Sequence, residues 1–174
     1  MNNEILDYDI HQKGIQVQII NETKFIILYF ASFGLYGIWW MYKAWKFFRE
    51  KDSMDIMPVA RAIFAIIFTH VLIEKVQNYA HTNGYVRSYS SSFLFISLLI
   101  LNTLSKLPDP YWLLSFLAFI PLIKPLNAFN FAIRNSEDYH AIDSSGFNGK
   151  QIGLLVIGAL LFALIIIGLF VDVE

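Results

Sequence analysis

The sequence predicts an all-α fold, a polytopic helical membrane protein with four transmembrane helices plus one in-plane or half-inserted amphipathic helix. Three observations predict it. Charged residues are 16% of the 174-residue chain against 56% apolar, well below the roughly 25% charged of soluble domains. The 16 Phe and four Trp are more apolar surface than a soluble fold of this size hides. Long uncharged runs recur between basic residues without the alternating polarity of barrel strands. Helices then remain as the structures that satisfy backbone polar groups in lipid. The length suggests one domain, with 1–23 a polar N-terminal tail and 24–174 a single helical membrane domain.

Ile15, Val17 and Ile19 alternate with polar residues, but one strand has no visible partner, so the tail is expected to stay unpaired. It carries Glu4, Asp7, Asp9 and Glu22 and no basic region before an apolar core, so it does not read as a secretory leader. Phe25 to Tyr42 is uncharged for 18 residues, about 27 Å of helix and close to a bilayer core. Lys24 closes one end. Lys43, Lys46, Arg49 and Lys51 crowd the other, interleaved with Trp39, Trp40, Tyr42 and Trp45. Such an aromatic belt with snorkelling bases is expected where a helix leaves the membrane, in contact with lipid headgroups.

Between Arg61 and Glu74 the uncharged run is only 12 residues, too short to span. The spacing predicts a helix over 58–81 at the interface. Its first half is apolar all round, and its second half carries a polar stripe of His70, Glu74, Gln77 and His81. The runs 88–105 and 110–123 read as a helical hairpin around Leu107-Pro-Asp-Pro110, since each proline disfavours helix in the residue before it. Pro121 and Pro125 are expected to kink or stop the second arm near Lys124, leaving 126–133 as a short amphipathic piece. Residues 134–150, rich in Asp, Ser and Gly, read as a loop. Gln151 to Val171 is uncharged for 21 residues, about 32 Å of helix and the clearest span in the chain.

Basic residues set the orientation. With spans at 25–42, 88–105, 110–123 and 151–171, ten basic residues lie inside and only Lys13, Lys24 and Lys106 outside. Both termini are then expected outside, with the loop 134–150 inside. The stretch Gly34-Leu-Tyr-Gly-Ile-Trp-Trp-Met-Tyr-Lys-Ala-Trp-Lys46, with Met57-Pro-Val-Ala-Arg-Ala-Ile-Phe64 and Leu107-Pro-Asp-Pro-Tyr-Trp-Leu113, resembles a family of uncharacterised bacterial inner-membrane proteins. The resemblance covers roughly 24–170. It implies a location in the bacterial cytoplasmic membrane and names no catalytic residue.

Composition excludes several classes. The net charge of −1 gives no nucleic-acid footprint. The absence of cysteine excludes disulfides, thiolate metal sites and a Cys nucleophile. No nucleotide loop or nucleophile elbow is present, and no cofactor is expected. His70, Glu74 and His81 are weak candidates for a metal, since His and Glu four apart share a helical face; a solvated polar stripe is the plainer reading. Arg61 at the start of an apolar helix is read as an interfacial snorkel or an anion contact. Asn102, Thr103, Asn127 and Asn130 are interior polar candidates, either lining a path or joining helices by hydrogen bonds; Lys124, between two prolines, either lines a discontinuous helix or marks the cytoplasmic end of a short span. Gly153, Gly158, Ala159, Ala163 and Gly168 would let the last span pack closely against a membrane-protein partner or a second copy. Three function classes follow, in order: a non-catalytic accessory or scaffold protein, a small oligomeric transporter or channel, and a membrane metalloenzyme.

Overall fold

The computed structural model describes residues 15–144 and 146–171. They are mostly helical, as expected, with a small parallel sheet that was not. The order is β1 (Ile15–Ile19), α1 (Glu22–Ala31), α2 (Leu35–Lys51), α3 (Pro58–Ile63), α4 (Ala65–Thr82), α5 (Ser91–Thr103), α6 (Ile120–Arg134), β2 (Tyr139–Asp143) and α7 (Gly149–Val171).

The expected span 25–42 is not one helix. Asn21 caps α1, its side chain accepting from the Lys24 N–H at 2.8 Å, and Glu22 complements the positive end of the helix dipole. At the other end Phe33 and Gly34 take positive φ of 53° and 88°. Two consecutive left-handed residues end a helix and turn the chain, which Gly tolerates and Phe does not. Ser32 joins the two halves: its hydroxyl accepts from the Tyr36 N–H at 2.8 Å and donates to the Tyr29 carbonyl at 3.2 Å. Hydropathy is unbroken across residues 25–42, so nothing in the apolar run announces the reversal.

From there α2 turns Trp40, Met41, Ala44, Trp45 and Phe48 into the core, against Leu72, Val76 and Tyr79 of α4 and Leu126 and Phe129 of α6. The spacing of three and four keeps these side chains on one stripe. The expected interfacial helix 58–81 is two helices with a knee at Phe64 (φ −86°, ψ 42°). The second, α4, is packed into the bundle through Thr69, Leu72, Ile73, Val76 and Ala80. The knee residues Ile63, Phe64, Ile66 and Ile67 are exposed.

Ser90 caps α5, accepting from the Phe93 N–H at 3.3 Å. A single 3₁₀ turn (Leu104–Lys106) and the 107–110 turn lead into a 3₁₀ stretch, Tyr111–Phe119, which runs directly into α6. The expected stop near Lys124 does not occur. Pro121 falls in the first turn of α6, where its missing N–H costs nothing, and Pro125 removes a single rung of the ladder. Residues 126–133 therefore continue the same helix to Arg134.

Two helical stretches are long and apolar enough to cross a membrane, Tyr111–Arg134 and Gly149–Leu169. Only 6% of the second is buried. It touches the bundle at few points: Gly158 lies against the backbone of Ala31, and Phe162 stacks on Phe33 with ring centroids 4.8 Å apart. Gly158 is about 14 Å from the start of a helix about 34 Å long. The α1–α2 reversal therefore sits halfway along α7.

The expected unpaired tail is corrected for residues 15–19. They form β1, which pairs in parallel with β2, itself inside the expected loop 134–150, in register from Ile15↔Tyr139 to Ile19↔Asp143. A lone alternating stretch could not reveal a partner more than 120 positions away. Lys24 reinforces the pairing. Its ammonium donates to the Ser144 carbonyl at 3.1 Å, the Ser144 hydroxyl at 2.6 Å and the Gly146 carbonyl at 2.5 Å. Residues 15–24 and 139–144, with Gly146, thus lie at one end of the molecule. The expected separation, with the N-terminal segment outside and the loop 134–150 inside, is incompatible with this ladder. Residues 1–14, with Lys13, and the C-terminal Asp172 and Glu174 lie outside the described residues.

Candidate functional site

The basic cluster stands where α2 ends. Lys43 lies over the exposed Trp39 ring at 5.7 Å, and Lys46 and Arg49 approach Glu50 at 3.7 and 3.8 Å. Trp40 and Trp45 are not headgroup contacts: both are buried on the core stripe. Lys51 leaves the cluster for Asp52 at 3.0 Å, and Lys75 reaches the same carboxylate at 2.6 Å. Burial pushes the Asp52 carboxyl up, but hydrogen bonds from Lys75 and Lys51 override it and hold the carboxyl below its ordinary value. Burial lowers the Lys51 ammonium, and Asp52 outweighs that and raises it. Desolvation of an ion pair is opposed by its own attraction, and here attraction wins.

Arg61 is half-buried and meets no carboxylate among the described residues. Its guanidinium lies 4.4 Å from the Trp45 ring and 5.1 Å from the Phe68 ring, a cation–π sandwich that ties α3 to α2 and α4. Asn102 donates to its own helix at the Leu98 carbonyl, 2.8 Å away. Lys124 is exposed on the outer face of α6. Asn127 donates to the Glu22 carboxylate at 2.8 Å. These four residues share no cavity, although the transporter reading would need them to.

The polar stripe of α4 faces the Tyr85 connection and the first turn of α5. His70 Nε2 lies 3.1 Å from the Ser92 hydroxyl, His81 Nδ1 lies 2.6 Å from the Tyr85 carbonyl, and the Ser91 hydroxyl donates to Gln77 at 3.4 Å. Glu74 is exposed. His70 and His81 are about 16 Å apart along the helix axis, too far to share an ion. Among the described residues no three His, Asp or Glu side chains gather as a metal would require.

One polar cavity was not foreseen. It has a volume of about 540 Å³ and lies between the start of α1, the Gly84–Arg87 connection and the last turns of α6. Its polar wall is Asn21, Glu22, Arg87, Asn127, Asn130 and Arg134. Asn130, buried, donates to the Ile20 carbonyl at 2.7 Å and fixes the β1–α1 corner over α6. Arg134 pairs with Asp143 of β2 at 2.5 Å. Only Asn127 and Asn130 stood out beforehand. The others come from segments that sequence proximity does not connect. The cavity opens at the same end as β1, β2, Lys24 and the basic end of α2.

No family model, curated protein or solved structure matches this chain.

Proposed function

We propose that this chain is a multi-pass integral membrane protein of the bacterial cytoplasmic membrane that acts as a non-catalytic accessory or scaffold protein. The observation that carries the membrane reading is α7: within the 21 residues Gly149–Leu169, the apolar window is only 6% buried. Such a surface is stable in hydrocarbon and costly in water. The resemblance at 34–46 supports the bacterial membrane. The scaffold reading rests on Arg61 and Asn127, which tie helices together at separate points.

The orientation we propose differs from the charge count made on four spans. With β1 beside β2, Lys24 joins Lys43, Lys46, Arg49, Lys51, Lys75, Arg87, Arg134 and Lys150 at one end, and Lys106 stands at the apex of the α5–α6 turn. The positive-inside rule then assigns the β1–β2 end to the cytoplasm. α1 and α2 form a re-entrant hairpin, α5 and the Tyr111–Arg134 helix form a crossing hairpin, and α7 crosses once more. Non-helical backbone at depth is tolerated where protein covers it, and Ser32 is buried.

The test is labelling of single introduced cysteines in intact cells with an impermeant maleimide, on a chain without native cysteine. Gln18→Cys, Ser53→Cys, Thr82→Cys and Ser144→Cys are expected to be protected and Ser105→Cys to label. Labelling of Gln18→Cys with protection of Ser144→Cys would overturn the orientation. Release of the chain by alkaline carbonate would overturn the membrane reading.

A further inference from the structure

The cavity at the β1–β2 end is walled by two guanidiniums, a carboxylate and three asparagines, a combination the scaffold reading does not use. Its volume of about 540 Å³ falls in the range of small-molecule sites. Arg87 has no carboxylate within ion-pair distance among the described residues. Arg134 engages Asp143 through Nη2, which leaves further N–H donors of its fork unused. Guanidinium forks match phosphate oxygens in pairs.

A bare anion would not account for the wall. Glu22 stands in it, and a carboxylate repels a phosphate that brings no positive charge of its own. Glu22 Oε2 accepts from Asn127, and among the described residues Oε1 accepts from none. The amide nitrogens of Asn127 and Asn130 are both committed as donors, so their carbonyl oxygens remain as acceptors. The wall therefore offers donors from arginine together with acceptors from Glu22, Asn127 and Asn130. The rim is apolar: Tyr85 and Phe131 stand with ring centroids 5.2 Å apart, and Val86 is 92% exposed.

We infer that this cavity binds a zwitterionic phosphate–amine group of the ethanolamine phosphate type, with Arg87 and Arg134 on the phosphate and Glu22 with the two asparagine carbonyls on the ammonium. The same chemistry is presented by a phospholipid headgroup and by a soluble phosphoamine. The lipid source rests on the membrane reading above; the charge pattern of the wall does not.

The experiment is calorimetric titration of the full chain in mild detergent. The probes are dihexanoyl phosphatidylethanolamine, dihexanoyl phosphatidylglycerol and O-phosphoethanolamine. The ethanolamine lipid is expected to bind about threefold or more tighter than the glycerol lipid, since Glu22 is exposed and water screens the charge pair it would form. Arg87→Gln, an exposed position whose side chain holds no other element, should weaken both lipids. Glu22→Gln should remove the preference by weakening the ethanolamine lipid alone. Binding of O-phosphoethanolamine in competition with the lipid supports a soluble source, and binding of the lipid alone supports the headgroup source. Equal affinities for the two lipids in the wild type, or an unchanged affinity in Arg87→Gln, would overturn the inference. Failure of the membrane reading is seen separately, as release by carbonate of a chain that still distinguishes the two headgroups.

Discussion

Asp52 is the residue on which two lysines of different helices converge. Its side chain is 29% exposed and accepts from Lys75 at 2.6 Å and Lys51 at 3.0 Å. Its depressed folded-state pKa stabilises the fold above the unfolded value, about 3.9, and that contribution is lost as pH falls through the folded value. Asp52→Asn is expected to lower stability by about 0.5–1 kcal/mol at pH 7, a partly exposed pair being screened by water. The gap between variant and wild type should narrow as pH falls below the unfolded value and close once it passes the lower folded one, read from thermal melts in detergent at pH 7 and along an acid series. Single residues were only partly legible in advance. That Lys43, Lys46 and Arg49 gather toward the end of one helix was, because they are neighbours in the sequence. Trp40 and Trp45 were not, because an aromatic next to a lysine looks the same whether its ring faces headgroups or the core. The distance between His70 and His81 was legible all along: 11 positions on one helix separate them by about 16 Å, and that alone argues against a shared metal.

At the scale of elements, what apolar runs encode is membrane depth and helical content. They do not encode breaks. The runs 88–105 and 151–171 appear as helices close to their expected bounds, α5 with its 3₁₀ extension and α7. The run 25–42 is broken by backbone conformation at Phe33 and Gly34, and the knee at Phe64 likewise leaves hydropathy untouched. Prolines misled in the opposite direction, since Pro121 occupies a first turn that suits it. The α1–α7 contact supplies a sharp test. A Cβ on Gly158 would overlap the Ala31 carbonyl, whereas one on Gly168 meets nothing within 4 Å. Gly158→Ala should push α7 off α1 and open the Phe33–Phe162 stack, lowering stability by about 1–3 kcal/mol. Gly168→Ala should leave it unchanged or slightly raised. Thermal melts of both variants in the same detergent check the pair.

For the whole molecule, the decisive feature is the parallel ladder between β1 and β2. A parallel pair needs a crossover between its strands, and here the crossover is the entire helical body from α1 to α6. Neither the ladder nor the cavity beside it was legible in the sequence, because both join segments separated by more than 100 positions. Gln18 and Ile142 are register partners. A chain carrying Gln18→Cys and Ile142→Cys should therefore crosslink on mild oxidation, the strand spacing lying within reach of a disulfide. Gln18→Cys paired with Ser105→Cys should not. Failure of the first pair to crosslink would remove the basis for placing the two segments on one side of the membrane.

The ladder also imposes an order of events on the chain as it is made. β1 leaves the ribosome first, yet its partner is synthesised only after α1 through α6, and the Ser144 and Gly146 carbonyls that receive the Lys24 ammonium come later still. The earliest strand must wait unpaired while six helices are made, since contacts of such long sequence separation form late. Its closure then marks the moment at which everything before α7 has found its place.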